Sequence, residues 1–156
     1  MDYYKILRKK MKTQQLILPS AIGGITKGNQ ILLVKKVSED KWSLPGGFQD
    51  LNESIETTVL REIKEELNID AKTGELISVF SSPKWNTTFY DGSKIQQVMF
   101  FFRLIVDLSK ANIVLQESEL VDHELFDLDK LPPNMPECCV QKCEDLKNYK
   151  GKVFLH

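Results

Sequence analysis

The stretch from Gly46 to Ile69, GGFQDLNESIETTVLREIKEELNI, constrains this chain more than any other. A glycine pair opens it, a short acidic loop follows, and an amphipathic helix completes it. At 3.6 residues per turn, Glu62 and Glu66 lie about 40° apart around the helix axis, with Glu65 about 60° to the other side of Glu62, so the three carboxylates share one face. Ile55, Val59, Leu60, Ile63 and Leu67 form a neighbouring apolar stripe, and the two faces meet at Glu66 and Ile55. Ser54 supplies an N-cap, which starts the helix at Ile55 and ends it before Asn68. Like-charge pairs at these spacings destabilise a helix by roughly 0.2–0.5 kcal/mol each. A hard divalent cation offsets that cost, because Mg²⁺ is commonly held by one or two carboxylates together with water and phosphate oxygens. Three acids on one turn also describe a solvated helix face, so the turn alone does not define a metal site.

The longer spacing separates the two readings. From Gly47 there are five residues, then Glu53, seven more, then Arg61-Glu62, an aliphatic, any residue, Glu65-Glu66, any residue, a turn residue and an aliphatic. This pattern resembles the Nudix box, the signature of the Nudix hydrolases, and departs from it only where Asn68 replaces glycine. That position ends the helix and needs a left-handed backbone, which Asn adopts more readily than most residues.

The resemblance implies an α/β protein, the Nudix-type α/β/α sandwich with a mixed β-sheet, over nearly the whole of a single domain of residues 1–156. It implies Mg²⁺ or Mn²⁺ as cofactor, with Glu62, Glu66 and Glu65 as metal ligands and the Gly46 carbonyl completing the site. Glu53 and Arg61 organise the loop, with Glu53 as an outer ligand, and the attacking water gives its proton to a box glutamate such as Glu65 or to an acid further on. Counting back from Leu131-Pro132 places that acid at Glu119, with Glu117 next. Lys36 stands where the family often has a basic residue near the substrate. The implied reaction is metal-dependent hydrolysis of the pyrophosphate link in a nucleoside diphosphate joined to another group, with ADP-ribose and nucleoside triphosphates among the candidates. The alternatives are a nucleotide sensor that does not hydrolyse, and an RNA 5′-end pyrophosphohydrolase. Many relatives are homodimers, and this chain is compatible with that form.

A net charge of −1 argues against a dedicated nucleic-acid binder, so any polyanion site is local. The expected partner is a small nucleotide rather than nucleic acid or membrane, since no apolar run reaches the length of a membrane span. Three cysteines, Cys138, Cys139 and Cys143, and no signal peptide suggest free thiols in a reducing cytoplasm. With no histidine near them except His156, they make a poor zinc site.

Along the chain, DYYKILRKKMK within residues 1–12 reads as a basic helix with Tyr3, Ile6, Leu7 and Met11 inward and its Lys and Arg side chains in solvent. Residues 16–36 read as two strands joined at Lys27-Gly28-Asn29-Gln30, with Pro19 and Gly23-Gly24 as punctuation. GELISVFSSPKW reads as a strand closed by Pro83, and NTTFY with KIQQVMFFFRLIV as a hairpin about Asp91-Gly92. The run Val98–Val106 is apolar enough to be central. Trp85, Phe89 and Tyr90 lie toward the open end, where they either stack on a base or sugar or pack in the core. A further strand is expected from His123 to Leu128 and a last helix over 137–147.

Overall fold

A computed structural model of the chain describes residues 3–11, 14–37, 40–89 and 91–156. Its elements are α1 (Tyr3–Met11), β1 (Leu16–Lys27), β2 (Gln30–Lys36), β3 (Trp42–Ser43), β4 (Gly46–Phe48), α2 (Ile55–Leu67), β5 (Lys72–Phe80), β6 (Thr87–Thr88), β7 (Lys94–Ile105), β8 (Leu120–Asp127), α3 (Glu137–Asn148) and β9 (Phe154–Leu155). The main path of the sheet runs β3-β2-β1-β7-β5-β9, with β4 added to β1, β6 to β7 and β8 to β2. The sheet is mixed, because β1 and β7 run parallel whereas β1 with β2, β1 with β4 and β5 with β7 run antiparallel.

Alternation of side chains along the strands gives two apolar faces, and each receives a helix. On one face Ala21, Ile25, Leu32, Val34, Phe102 and Leu104 pack with Val59, Ile63 and Leu67 of α2. On the other, Ile31, Leu33, Ile77 and Phe101 pack with Cys139, Cys143 and Leu146 of α3. A sheet sandwiched between helices is the architecture expected from the sequence, and β7 holds the expected central place between β1 and β5.

The ends of α2 follow from local chemistry. The Ser54 hydroxyl accepts the Thr57 N–H at 3.1 Å, and Asn68 closes the helix at φ 56°, ψ 28° with its own N–H on the Lys64 carbonyl. The two strands expected over residues 16–36 form as β1 and β2 and join at Lys27–Gln30, with Pro19 and Gly23-Gly24 inside β1. Pro19 is tolerated there because its backbone faces the β4 side, where its carbonyl accepts the Gln49 N–H, so the missing N–H takes no bond from the β7 ladder. Two expectations need correction. The strand read in NTTFY shrinks to Thr87–Thr88. Finally, Arg8 is not a solvated side chain: its guanidinium lies 3.6 Å over the Phe89 ring and binds Asp91 at 2.7 Å and the Ser93 hydroxyl at 3.0 Å.

Among the described residues, no helix is long and apolar enough to cross a membrane. The three cysteines are free thiols, two of them buried.

Candidate active site

β4 and the first turns of α2 bring the acidic face of the helix against the glycine pair. Gly46 sits at φ 140°, where an added Cβ would stand 2.3 Å from the Ala21 carbonyl oxygen of β1. A Cβ on Gly47 would meet the Glu62 carboxylate at 2.5 Å. A side chain at Gly46 is thus excluded by the backbone of the neighbouring strand, and one at Gly47 displaces the Glu62 carboxylate.

Glu66 is the deepest carboxylate, only 1% exposed. Its Oε2 accepts the Gly46 N–H at 2.9 Å. Burial pushes its pKa up from 4.5 to about 7; Lys36 and the Gly46 hydrogen bond oppose the shift, while Glu62 and Glu119 add to it. Glu62 is also raised, first by burial, with Arg61 opposing and Glu65 and Glu119 reinforcing. Glu62, Glu66 and Glu119 therefore lie close enough for their charges to be felt by one another. Glu119 reaches this place through the loop before β8, where the Glu66 carbonyl takes the Gln116 N–H at 3.0 Å and the Glu119 carbonyl takes the Val37 N–H at 2.9 Å.

Arg61 binds the acidic loop to the helix and uses five hydrogen bonds to do so, the full donor capacity of a guanidinium. Nε donates to Glu53 Oε1 at 2.6 Å; Nη1 donates to Glu62 at 2.8 Å and Glu65 at 3.1 Å; Nη2 donates to Glu53 Oε2 and to the Phe48 carbonyl, both at 3.1 Å. Glu53 also accepts from the Thr58 hydroxyl at 2.9 Å and the Asp50 N–H at 3.2 Å. The Arg61 hydrogen bond is the main reason that the Glu53 carboxyl is lowered to about 2. Glu65 is the most open of these acids, its side chain 53% exposed.

The remaining candidates are placed as follows. Lys36 faces the acids closely enough to act on Glu66, while Lys35 turns away to Asp40. A register shift between Lys35 and Lys36 accompanies this change of direction. Glu117 is exposed. Trp85 packs edge-on against Phe80, 5.2 Å between ring centres, in a group with Met99 and Cys138 rather than with the carboxylates. Phe89 lies beneath Arg8, and Tyr90 lies outside the described residues.

Sequence reasoning did not find Thr58, whose hydroxyl fixes Glu53 from within the helix, or the docking of α1 on the loop. A hydroxyl five residues after Glu53 and three before Arg61 was the available signal for the first. The second has no local signal.

Among the described residues, no three His, Cys, Asp or Glu side chains stand ready to close on an ion, because Glu62 and Glu65 are turned onto Arg61 and Glu66 onto the Gly46 N–H. The donor chemistry nevertheless fits a hard divalent cation. The group offers carboxylate oxygens without thiolate or imidazole, two of its acids, one buried and one half-buried, stand beside one another with Glu119 near both, and glycine backbone lies beside them.

Comparison with known proteins agrees with this geometry. The NUDIX domain profile matches residues 18–138. The ADP-ribose pyrophosphatase of Methanocaldococcus jannaschii is 34% identical over 135 residues, a span of 82% of this chain and 75% of that protein. The NAD-capped RNA hydrolase NudC of Pseudomonas aeruginosa is 31% identical over 117 residues, covering 74% of this chain but only 38% of that longer protein. Among solved structures, an ADP-ribose pyrophosphatase from Streptococcus suis superimposes with a TM-score of 0.65 at 24% identity, covering 89% of this chain and 98% of that one, which is a likeness of fold. The chain belongs to the Nudix family and is a Nudix hydrolase.

Proposed function

We propose that this protein hydrolyses the pyrophosphate link of a nucleoside diphosphate derivative, with ADP-ribose as the first substrate to test. The observation that carries the proposal is the mutual influence of Glu62, Glu66 and Glu119 beside a glycine pair against which the Glu62 and Glu66 carboxylates pack. Two relatives of this chain bear the name ADP-ribose pyrophosphatase or putative ADP-ribose pyrophosphatase, which supports the choice of substrate.

In this reading Glu62 and Glu66 hold Mg²⁺ or Mn²⁺ directly, with Glu65 and the Gly46 carbonyl as further oxygen donors. When bound, such a cation polarises the phosphoryl group and lowers the pKa of water. Arg61 bridges Glu53 to Glu62 and Glu65 while neutralising part of their charge, so that helix and loop hold one shape. Glu53 acts through Arg61 and not on substrate. Lys36 approaches the phosphate oxygens, and Glu119 or Glu65 takes the proton of the attacking water. Glu119 suits that task because it is exposed yet close enough to affect the buried acids.

A second reading is hydrolysis at a nucleotide-capped RNA end, favoured by the likeness to the NAD-capped RNA hydrolase. One assay separates the readings: purified protein with Mg²⁺ or Mn²⁺, offered ADP-ribose, nucleoside triphosphates, sugar nucleotides, dinucleoside polyphosphates, NAD-capped RNA and 5′-triphosphate RNA. Release of AMP from ADP-ribose at the highest kcat/KM supports the first. Preference for capped RNA replaces it with the second. Silence on the whole panel, with metal binding confirmed, moves the protein to the class of nucleotide sensors.

A further inference from the structure

Helix α1 lies ahead of the matched family region, which begins at residue 18, yet it is fastened at its start to the box loop and further along to the turn before β7. At its start the Tyr3 N–H donates to Asp50 Oδ1 at 2.7 Å, a carboxylate at the positive end of a helix. Further along, Arg8 is held by Asp91, Ser93 and the Phe89 ring. Between these points Tyr4 packs on Phe48, with ring centres 4.4 Å apart and planes 31° apart. Phe48 is the residue whose carbonyl takes an Arg61 N–H, so the helix touches the loop that orders the acids.

Helix and loop enclose a cavity of about 240 Å³ whose walls include Tyr3, Tyr4, Leu18, Phe48, Asp50 and Asn52. Glu53 is also in the wall, and Arg61 joins Glu53 to Glu62, so the cavity borders the loop that Arg61 ties to the carboxylate group. Its size falls below the roughly 300–1,000 Å³ of pockets that take a whole small ligand, which suits one moiety of a substrate with the remainder lying elsewhere. No lysine or arginine lines it. The cavity offers a phosphate no cation, whereas a flat ring meets aromatic side chains and sugar hydroxyls meet the carboxylate and amide acceptors of Asp50 and Asn52.

We infer that the cavity between α1 and the box loop is the subsite for the nucleoside moiety of the substrate, base and ribose, and that Tyr4 is a specificity-determining residue of it. This rests on the reading of the protein as a nucleotide pyrophosphohydrolase, but its test is binding and needs no turnover. α1 then does more than decorate the fold: it selects which nucleotide the shared box chemistry acts on.

The test titrates adenosine, without metal, into the full chain labelled with ¹⁵N, and follows backbone amides by NMR. The expected result is movement of the Tyr3–Tyr4 and Phe48–Glu53 amides, with affinity reduced about tenfold in Tyr4→Ala and retained in Tyr4→Phe. No buried core residue belongs to α1, so Tyr4→Ala leaves the two cores intact. In the turnover arm, Tyr4→Ala raises KM for the best nucleotide substrate by far more than it lowers kcat. Movement confined to the second cavity, at Trp85, Gln97 and Met99, overturns the inference, and so does failure of adenosine to bind at millimolar concentration. Adenosine binding at α1 in a protein that hydrolyses nothing upholds the subsite and defeats the proposed reaction. Hydrolysis with KM unchanged in Tyr4→Ala does the reverse.

Discussion

The carboxylate of Glu62 occupies the space that a side chain on Gly47 would need, 2.5 Å from where its Cβ would be. The glycine of the loop and the acid of the helix are in this sense one feature, since neither position is free to vary without the other. Gly47→Ala forces Glu62 away, and a displacement of about 1 Å at a reacting centre costs up to roughly 100-fold in rate. We expect a loss of that order in kcat with a melting temperature close to that of the wild type, measured by steady-state kinetics and thermal denaturation. Unchanged kinetics would remove Glu62 from the reaction.

Glu66→Gln keeps an oxygen to accept the Gly46 N–H but removes the charge. Hydrolysis is expected to fall by more than the roughly 10–100-fold typical of a group that only supports a metal ligand. Far-UV circular dichroism should show an intact fold, and Mn²⁺ should raise the melting temperature of the wild type more than that of the variant. An equal rise in both would remove Glu66 from the metal site.

The same residue sets a pH dependence in metal-free protein. The folded state raises the Glu66 carboxyl from 4.5 to about 7, so the proton stabilises the fold. That contribution is complete below pH 4.5, declines as pH rises, and is gone above pH 7. Glu62 shifts in the same direction. Metal-free wild type should therefore melt several degrees lower at pH 8 than at pH 5, and Glu66→Gln should flatten much of that difference. A wild-type melting temperature that rises over this interval contradicts the buried-acid account.

Glu53 has the opposite sign. Its carboxyl is lowered from 4.5 to about 2, chiefly by the Arg61 hydrogen bond, so its contribution is present above pH 4.5 and is lost as pH falls through 2. Glu53→Gln should be less stable than wild type at pH 7, with the gap closing in acid denaturation toward pH 2. A gap of constant size would show that the pair contributes through packing and not charge.

Arg61→Lys leaves three donors where five are used and loses the planar fork. Each buried partner left unsatisfied costs about 1–3 kcal/mol. We expect a loss of stability in that range by urea denaturation, together with reduced kcat. Stability equal to the wild type would mean that the loop does not depend on the fork.

The box was legible in the sequence because its determinants are local. Ser54 and Asn68 mark the helix ends, the spacing of Glu62, Glu65 and Glu66 fixes their face, and Asp91-Gly92 marks the turn. Glu119 was reachable only by counting from Leu131-Pro132, since its approach to Glu66 runs through backbone bonds of the Gln116 loop that no spacing rule encodes. Arg8 was misread for a related reason. A basic residue on a short helix reads as solvated until the fold brings Phe89, Asp91 and Ser93 beneath it. The continuity of β1 through Pro19 also depended on tertiary placement, because that residue's backbone faces Gln49 and takes no part in the β7 ladder.

The parallel ladder between β1 and β7, unbroken from Leu16–Ile95 to Ile25–Leu104, has a consequence for the order of assembly. The strand that anchors the glycine loop emerges from the ribosome long before its central partner does. Until residues 94–105 follow, the finished box helix has only half a floor to rest on. Pairing at such sequence separation pays its loop-closure entropy before any contact rewards it, which places folding on the slow side for a domain of this size. A chain cut short before β7 carries every acid of the box on an incomplete scaffold, with β1 and β2 beneath the helix and Phe102 and Leu104 missing.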